Sequence, residues 1–116
     1  MQDKLLVAAK QFLSILPEST MKDVEIKSLV DAGIAELERS GVNTKYKYDE
    51  ANKEYDSLVK TAIMMFVKSN FGNVNIKEKE LAAKVFNNLE QSLSLSEGYK
   101  KEKSDVNASN WINITL

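Results

Sequence analysis

The sequence predicts an all-α fold: a small four-helix bundle over residues 1–99, followed by an extended arm over residues 100–116 that ends in a possible short β-strand. Three observations lead there. Apolar residues recur at spacings of three and four in four separate segments, the period of a helix with one buried face. A single Pro and only four Gly among 116 residues leave those segments nearly uninterrupted. After Tyr99 the periodicity stops, and the last six residues alternate between apolar and polar character instead.

In the first segment Leu5, Ala9, Phe12, Leu13 and Leu16 form one stripe, and Pro17 ends it because a residue before proline is pushed out of the α region. Ser19 or Thr20 is placed to cap the second helix, with Asp23 and Glu25 near its positive end. Its stripe is Ile26, Leu29, Val30, Gly33, Ile34 and Leu37. A glycine inside a helix costs about 1 kcal/mol against alanine, so Gly33 predicts the close approach of another helix. Gly41 fits the position just beyond the last turn.

Residues 42–48 make a polar link containing Tyr46 and Tyr48. Asp49 is placed to cap a third helix, with Glu50, Glu54 and Asp56 in its first half and Lys60 and Lys68 in its second, an order that complements the helix dipole. Tyr55, Leu58, Val59, Ala62, Ile63, Phe66 and Val67 form its inner stripe. Met64 and Met65 extend this until residues 62–67 are apolar on every side, which marks the centre of the bundle. Gly72 stops it. Asn73 or Asn75 caps the fourth helix, whose stripe of Leu81, Ala82, Val85, Phe86, Leu89 and Leu93 fades through Ser92, Ser94 and Ser96 to Gly98. Lys100 to Asn110 is charged and aperiodic, as expected of a flexible linker. In the final WINITL the only tryptophan, Trp111, alternates with Ile112, Ile114 and Leu116 in a strand-like pattern.

Chemistry is conspicuously thin. The chain has no Cys and no His, which removes disulfides, thiolate metal sites, the commonest general base and the commonest zinc ligand. Phosphate-cradling loops such as GxGxxG or GxxxxGK[ST] are missing. Ser92, Ser94 and Ser96 lack a histidine to activate them, and the carboxylates of residues 49–56 read as a solvated face rather than a metal cage. The chain reads as no enzyme and implies no cofactor and no metal. With 16 basic and 17 acidic residues, its net charge of −1 creates no field to hold nucleic acid. No apolar run is long enough to span a membrane.

What remains are contact candidates. Tyr46 and Tyr48 with Lys45 and Lys47 suit either a packed, partner-facing loop or a stacking platform for single-stranded nucleic acid. Met64 and Met65 fill the core or adapt to a neighbouring subunit. The arm either folds back on its own bundle or stays disordered, or it docks on another chain, by strand addition or by burying Trp111.

Four segments in order resemble the head–tail connector (adaptor) proteins of tailed bacteriophages, closest to those of phages and prophages of Gram-positive bacteria. DVEIKSLVDAGIAELERSGV (Asp23 to Val42) is similar to the family's second helix, and LVKTAIMMFVKSNFGN (Leu58 to Asn73) to its hydrophobic central helix ending in Asn-Phe-Gly. A short charged helix follows, and SLSLSEGY (Ser92 to Tyr99) is similar to its closing signature. The resemblance covers roughly residues 4–99. It implies an α-helical virion component, assembled in the host bacterial cytoplasm. Copies of itself, commonly twelve, form a ring beneath the portal protein. The ring extends the channel for passing double-stranded DNA without sequence-specific binding, and offers a platform to a tail-completion (stopper) protein. There are no catalytic residues to transfer, and the arm lies outside the resemblance. The alternative from another class is a small helical DNA-binding or regulatory module using Lys45, Lys47 and the lysines after Tyr99.

Overall fold

The computed structural model describes residues 3–100. They form four helices, α1 (Lys4–Phe12), α2 (Asp23–Arg39), α3 (Ser57–Asn70) and α4 (Ile76–Leu95), with two isolated β-bridges and no longer strand among the described residues. The all-α prediction holds. The strand-like pattern at Trp111 to Leu116 and the linker before it lie outside the described residues.

The central position of α3 is as the all-round apolar stretch predicts. It packs against each of the other three helices, while α4 leans chiefly on α3. Ala62, Ile63, Met64 and Val67 of α3 meet Ala9 of α1 and Ile26, Val30 and Leu37 of α2 in one core, which Phe86 and Leu93 of α4 complete. Gly33 makes the close approach its sequence position predicts: a Cβ there would sit 3.1–3.3 Å from the Phe66 side chain, whose ring meets Phe86 edge-on at 5.3 Å. A backbone without a side chain at 33 thus lets the Phe66 ring lie against α2.

Several boundaries differ from the sequence prediction, each for a local reason. The first helix stops at Phe12, well before Pro17. Ser14 adopts a left-handed φ of 61°, Ser14 N–H donates to Gln11 O and Ile15 N–H to Lys10 O, closing the chain into a Schellman turn. Leu16 therefore lies outside the helix, 64% exposed. Neither Ser19 nor Thr20 caps α2: its N-cap is Lys22, without a side-chain cap bond, and Asp23 N–H donates to the Thr20 carbonyl instead. Its far end follows prediction. Gly41 takes φ 100° beyond the last turn, and Val42 N–H returns to Leu37 O with both side chains buried.

Asp49 does not cap the third helix. Its carboxylate receives the backbone and side-chain amides of Asn52, and its backbone pairs in both directions with Glu54, so residues 49–54 close a tight hairpin in which Lys53 has φ 55°. The cap is Asp56, which accepts from Leu58 N–H, so Asp49, Glu50 and Glu54 sit outside the helix whose dipole they seemed to complement. At the other end the helix stops before Gly72, because Phe71 turns to extended backbone and buries its ring. Asn75 caps α4 as predicted, accepting from Glu78 N–H and donating to the Glu78 carboxylate. Because α4 has essentially one helical neighbour, its buried stripe is narrower than its apolar stripe, and Leu81 stays 63% exposed. Leu58 likewise lies outside the core.

Candidate interaction surfaces

The described residues hold no group of three or more His, Cys, Asp or Glu able to bind a metal, and no helix among them is long and apolar enough to cross a membrane. The distinctive features lie at the two ends of the α3–α4 hairpin.

One end is knit by tyrosines. Tyr99 donates its hydroxyl to Asp56 Oδ2 at 2.7 Å, so the carboxylate that caps α3 also holds the residue after α4. The Tyr99 carbonyl accepts Asn43 N–H at 2.6 Å, and Lys100 forms an antiparallel bridge with Val42. Tyr46 meets the Tyr99 ring edge-on at 4.7 Å, and Tyr48 meets Tyr55 in the same way at 4.8 Å. Gly98 makes this possible twice over: its φ of 87° suits glycine, and any Cβ would collide with the Tyr46 ring. The hydrogen bond to Asp56 is the first cause, with burial and the nearby charge behind it, that pushes the Tyr99 phenol up to about 12. The Lys45 ammonium lies 3.8 Å from the centre of the Tyr48 ring. The aromatic and basic residues of the link are thus largely turned to one another. That favours the packed-loop reading over an open stacking platform, for which ring faces must be free.

The last turns of α2 meet α4 through Glu36 and Glu90. Arg39 grips Glu36 with two hydrogen bonds of 2.9 and 2.7 Å and holds its carboxyl below the ordinary range. Burial, then the adjoining Glu36, pushes Glu90 up.

The opposite end is open and apolar. Met21 is 90% exposed, Val24 82%, Ile76 73% and Leu16 64%. Met21 also lines a hollow of about 460 Å³ with Leu13, Ile15, Phe71 and Val74. This end is held in shape from beneath by Lys10, whose side chain is only 7% exposed. Its ammonium donates to the carbonyls of Pro17 at 3.0 Å and Ser19 at 2.6 Å and pairs with Asp23 Oδ1 at 2.9 Å. A buried lysine is tolerable only when so satisfied.

Of the contact residues suggested by sequence, Tyr46 and Tyr48 are brought together with Tyr99 and Tyr55 and remain half-buried. Met64 is buried in the core at 5% exposure, and Met65 is half-buried at its margin. Trp111, Ile112, Ile114 and Leu116 lie outside the described residues. Sequence reading missed the apolar end. Met21 and Val24 belong to no helical stripe, and that misfit is the signal that marks them.

The described residues thus form four helices with an apolar end turned to solvent and no cluster of metal-binding groups among them. The sequence model of the phage connector protein family matches residues 5–100, and the chain belongs to that family. No curated protein and no solved structure matches it.

Proposed function

We propose that this protein is a structural adaptor of the phage neck. Copies dock side by side as a ring, of twelve by the family resemblance, beneath the portal. They prolong the channel for double-stranded DNA and present a platform to the tail-completion protein. The ring forms in the host bacterial cytoplasm and remains in the virion at the head–tail interface. Family membership over residues 5–100 supports a connector role. The observation that carries the rest is the apolar end. Leu16, Met21, Val24 and Ile76 have no counterpart within the described chain, and only contact between chains would bury such a patch.

A ring needs a head-to-tail interface, in which two different surfaces of each copy meet. The apolar end supplies one surface. Tyr46, Tyr48 and Met65, with the arm residues Trp111, Ile112, Ile114 and Leu116, are proposed to contribute to others. Met64 is buried in the core and takes part only through the packing of α3. The near-zero net charge suits a channel wall, since every lysine–phosphate contact would retain the DNA.

Mixing the protein with its cognate portal and imaging the particles in negative stain tests the reading. A continuous collar of added density below the portal is expected. Bare portals at saturating protein, with the protein itself folded, would sink it.

A further inference from the structure

Between the start of α1, the middle of α2 and the 48–55 hairpin runs an open groove of about 590 Å³. Its floor is apolar, built from Leu5, Val30, Ile34, Tyr48 and Tyr55. Its rim is polar and already paired: Lys27 meets Asp31 at 2.7 Å and Asp3 at 3.4 Å, and Lys4 donates to the Asn52 carbonyl at 2.6 Å, so the groove offers an incoming segment chiefly its apolar floor. The volume is that of a site for a few large side chains. No described residue fills it.

We propose that in the free subunit this groove receives the chain's own last six residues, Trp111 to Leu116. That segment carries apolar side chains on both faces of an extended chain, Trp111 on one and Ile112, Ile114 and Leu116 on the other, so either face can bring large apolar groups to the floor. The exit point favours it. Tyr99 is clasped by Tyr46, and Tyr46 lies two residues from Tyr48, which lines the groove. The arm therefore starts beside the same loop that supplies Tyr48 to the groove. Eleven residues lead from Lys100 to Trp111, and random-coil chains of that length span about 17–20 Å on average and about 35–40 Å at full stretch. The open apolar end lies roughly 30 Å away, the length of the 20-residue α4, so reaching it would require a nearly taut linker.

Attachment also favours the chain's own arm over that of a second copy. A short flexible tether gives the segment an effective concentration of millimolar order, above that of free subunits in dilute solution. The proposal rests on the groove and the arm's sequence, and it holds or fails independently of the connector reading.

The chain has no cysteine and one tryptophan, so both probes are specific. In the full-length Ala51→Cys/Asn113→Cys variant, mild oxidation should give a cross-linked monomer. The Val24→Cys/Asn113→Cys variant, at the far end, should give none. In the wild-type chain Trp111 should emit as a shielded indole and keep that emission on roughly hundredfold dilution. Ile114→Asp, which lies in the arm and leaves the bundle's circular dichroism unchanged, should move the emission to that of water-exposed indole and raise acrylamide quenching severalfold. Exposed Trp111 in the wild type overturns the proposal. So does a cross-linked dimer in place of the monomer, or shielding lost on dilution, since either assigns the groove to a second copy's arm. Shielding that survives Ile114→Asp, with no cross-link to Ala51, places Trp111 elsewhere and overturns it as well.

Discussion

The two ends of the α3–α4 hairpin are both built from loops, yet they solve opposite problems. The tyrosine end closes on itself: Asp56, Tyr46, Tyr48, Tyr55 and Tyr99 use their rings and hydroxyl on one another, and the chain leaves at Lys100 already anchored to Val42. The apolar end keeps its polar bonds underneath, in the Lys10 clamp, and turns Met21, Val24 and Leu16 outward. One end turns its side chains on one another, and the other leaves them exposed, as the proposed docking surface requires. Substitutions at the two should therefore separate stability from assembly.

The largest stability effect is expected beneath the apolar end. Lys10→Met removes the ammonium that satisfies the Pro17 and Ser19 carbonyls and faces Asp23, leaving three part-buried acceptors without it. Loss of a buried, charged donor of this kind costs about 2–4 kcal/mol. Chemical denaturation would measure it. A loss below about 0.5 kcal/mol would mean that the 13–22 loop does not depend on the clamp.

Next comes Gly98→Ala, which adds a Cβ against the Tyr46 ring on backbone that already has a left-handed φ. A loss of about 1–3 kcal/mol is expected. Gly33→Val should fall in the same range of about 1–3 kcal/mol by overpacking the Phe66 contact. If the tyrosine end is a closed unit, the Gly98→Ala loss should shrink in a Tyr46→Ala background, because the collision and the ring contact disappear together.

Tyr99→Phe is milder, about 1 kcal/mol, because the hydrogen bond to Asp56 is only partly shielded from water. It carries a pH signature. The Tyr99 phenol is raised from 10.0 to about 12 in the folded chain. The folded state thus holds its proton more tightly than the unfolded state does. The stabilisation is complete below pH 10 and drains away as pH rises toward about 12. Wild type and Tyr99→Phe should therefore converge in stability across that interval. Parallel curves would show that the hydroxyl does not link the two helices.

How much of this was legible beforehand follows from the range of the interactions. The helices were legible because each stripe is written in its own segment, and so was the contact at Gly33, since a helix tolerates such a residue only for a reason of packing. Asp49 misled because a carboxylate before an apolar run has the same local appearance whether it caps a helix or closes a hairpin. The choice was made by Asn52 and by the pairing with Glu54. Leu16 misled because the Schellman turn at Ser14 uses a left-handed residue that is not glycine. The tyrosine end was half legible: Tyr46 and Tyr48 stood out, but their partners Tyr55 and Tyr99 are distant in sequence. The apolar end was hidden from a search for periodicity, because Met21 and Val24 are apolar where no stripe requires them and Leu16 was absorbed into a stripe the Schellman turn cuts short.

The smallest stability effect is the one that most sharpens the contrast. Met21 and Val24 are 90% and 82% exposed, and neither belongs to the core. The double substitution Met21→Ser/Val24→Ser should change unfolding free energy by less than about 0.5 kcal/mol, as for other surface positions. It removes, however, two of the four large apolar side chains that the described residues leave exposed at this end. If the apolar end is an assembly surface, apolar burial there contributes about 25 cal/mol per Å², and losing two large side chains should weaken portal decoration by at least tenfold, about 1.4 kcal/mol. Gly98→Ala should show the reverse pattern, a less stable subunit that still decorates portals while folded. Normal decoration by Met21→Ser/Val24→Ser would move the assembly surface away from this end and leave its exposure without a purpose in the neck.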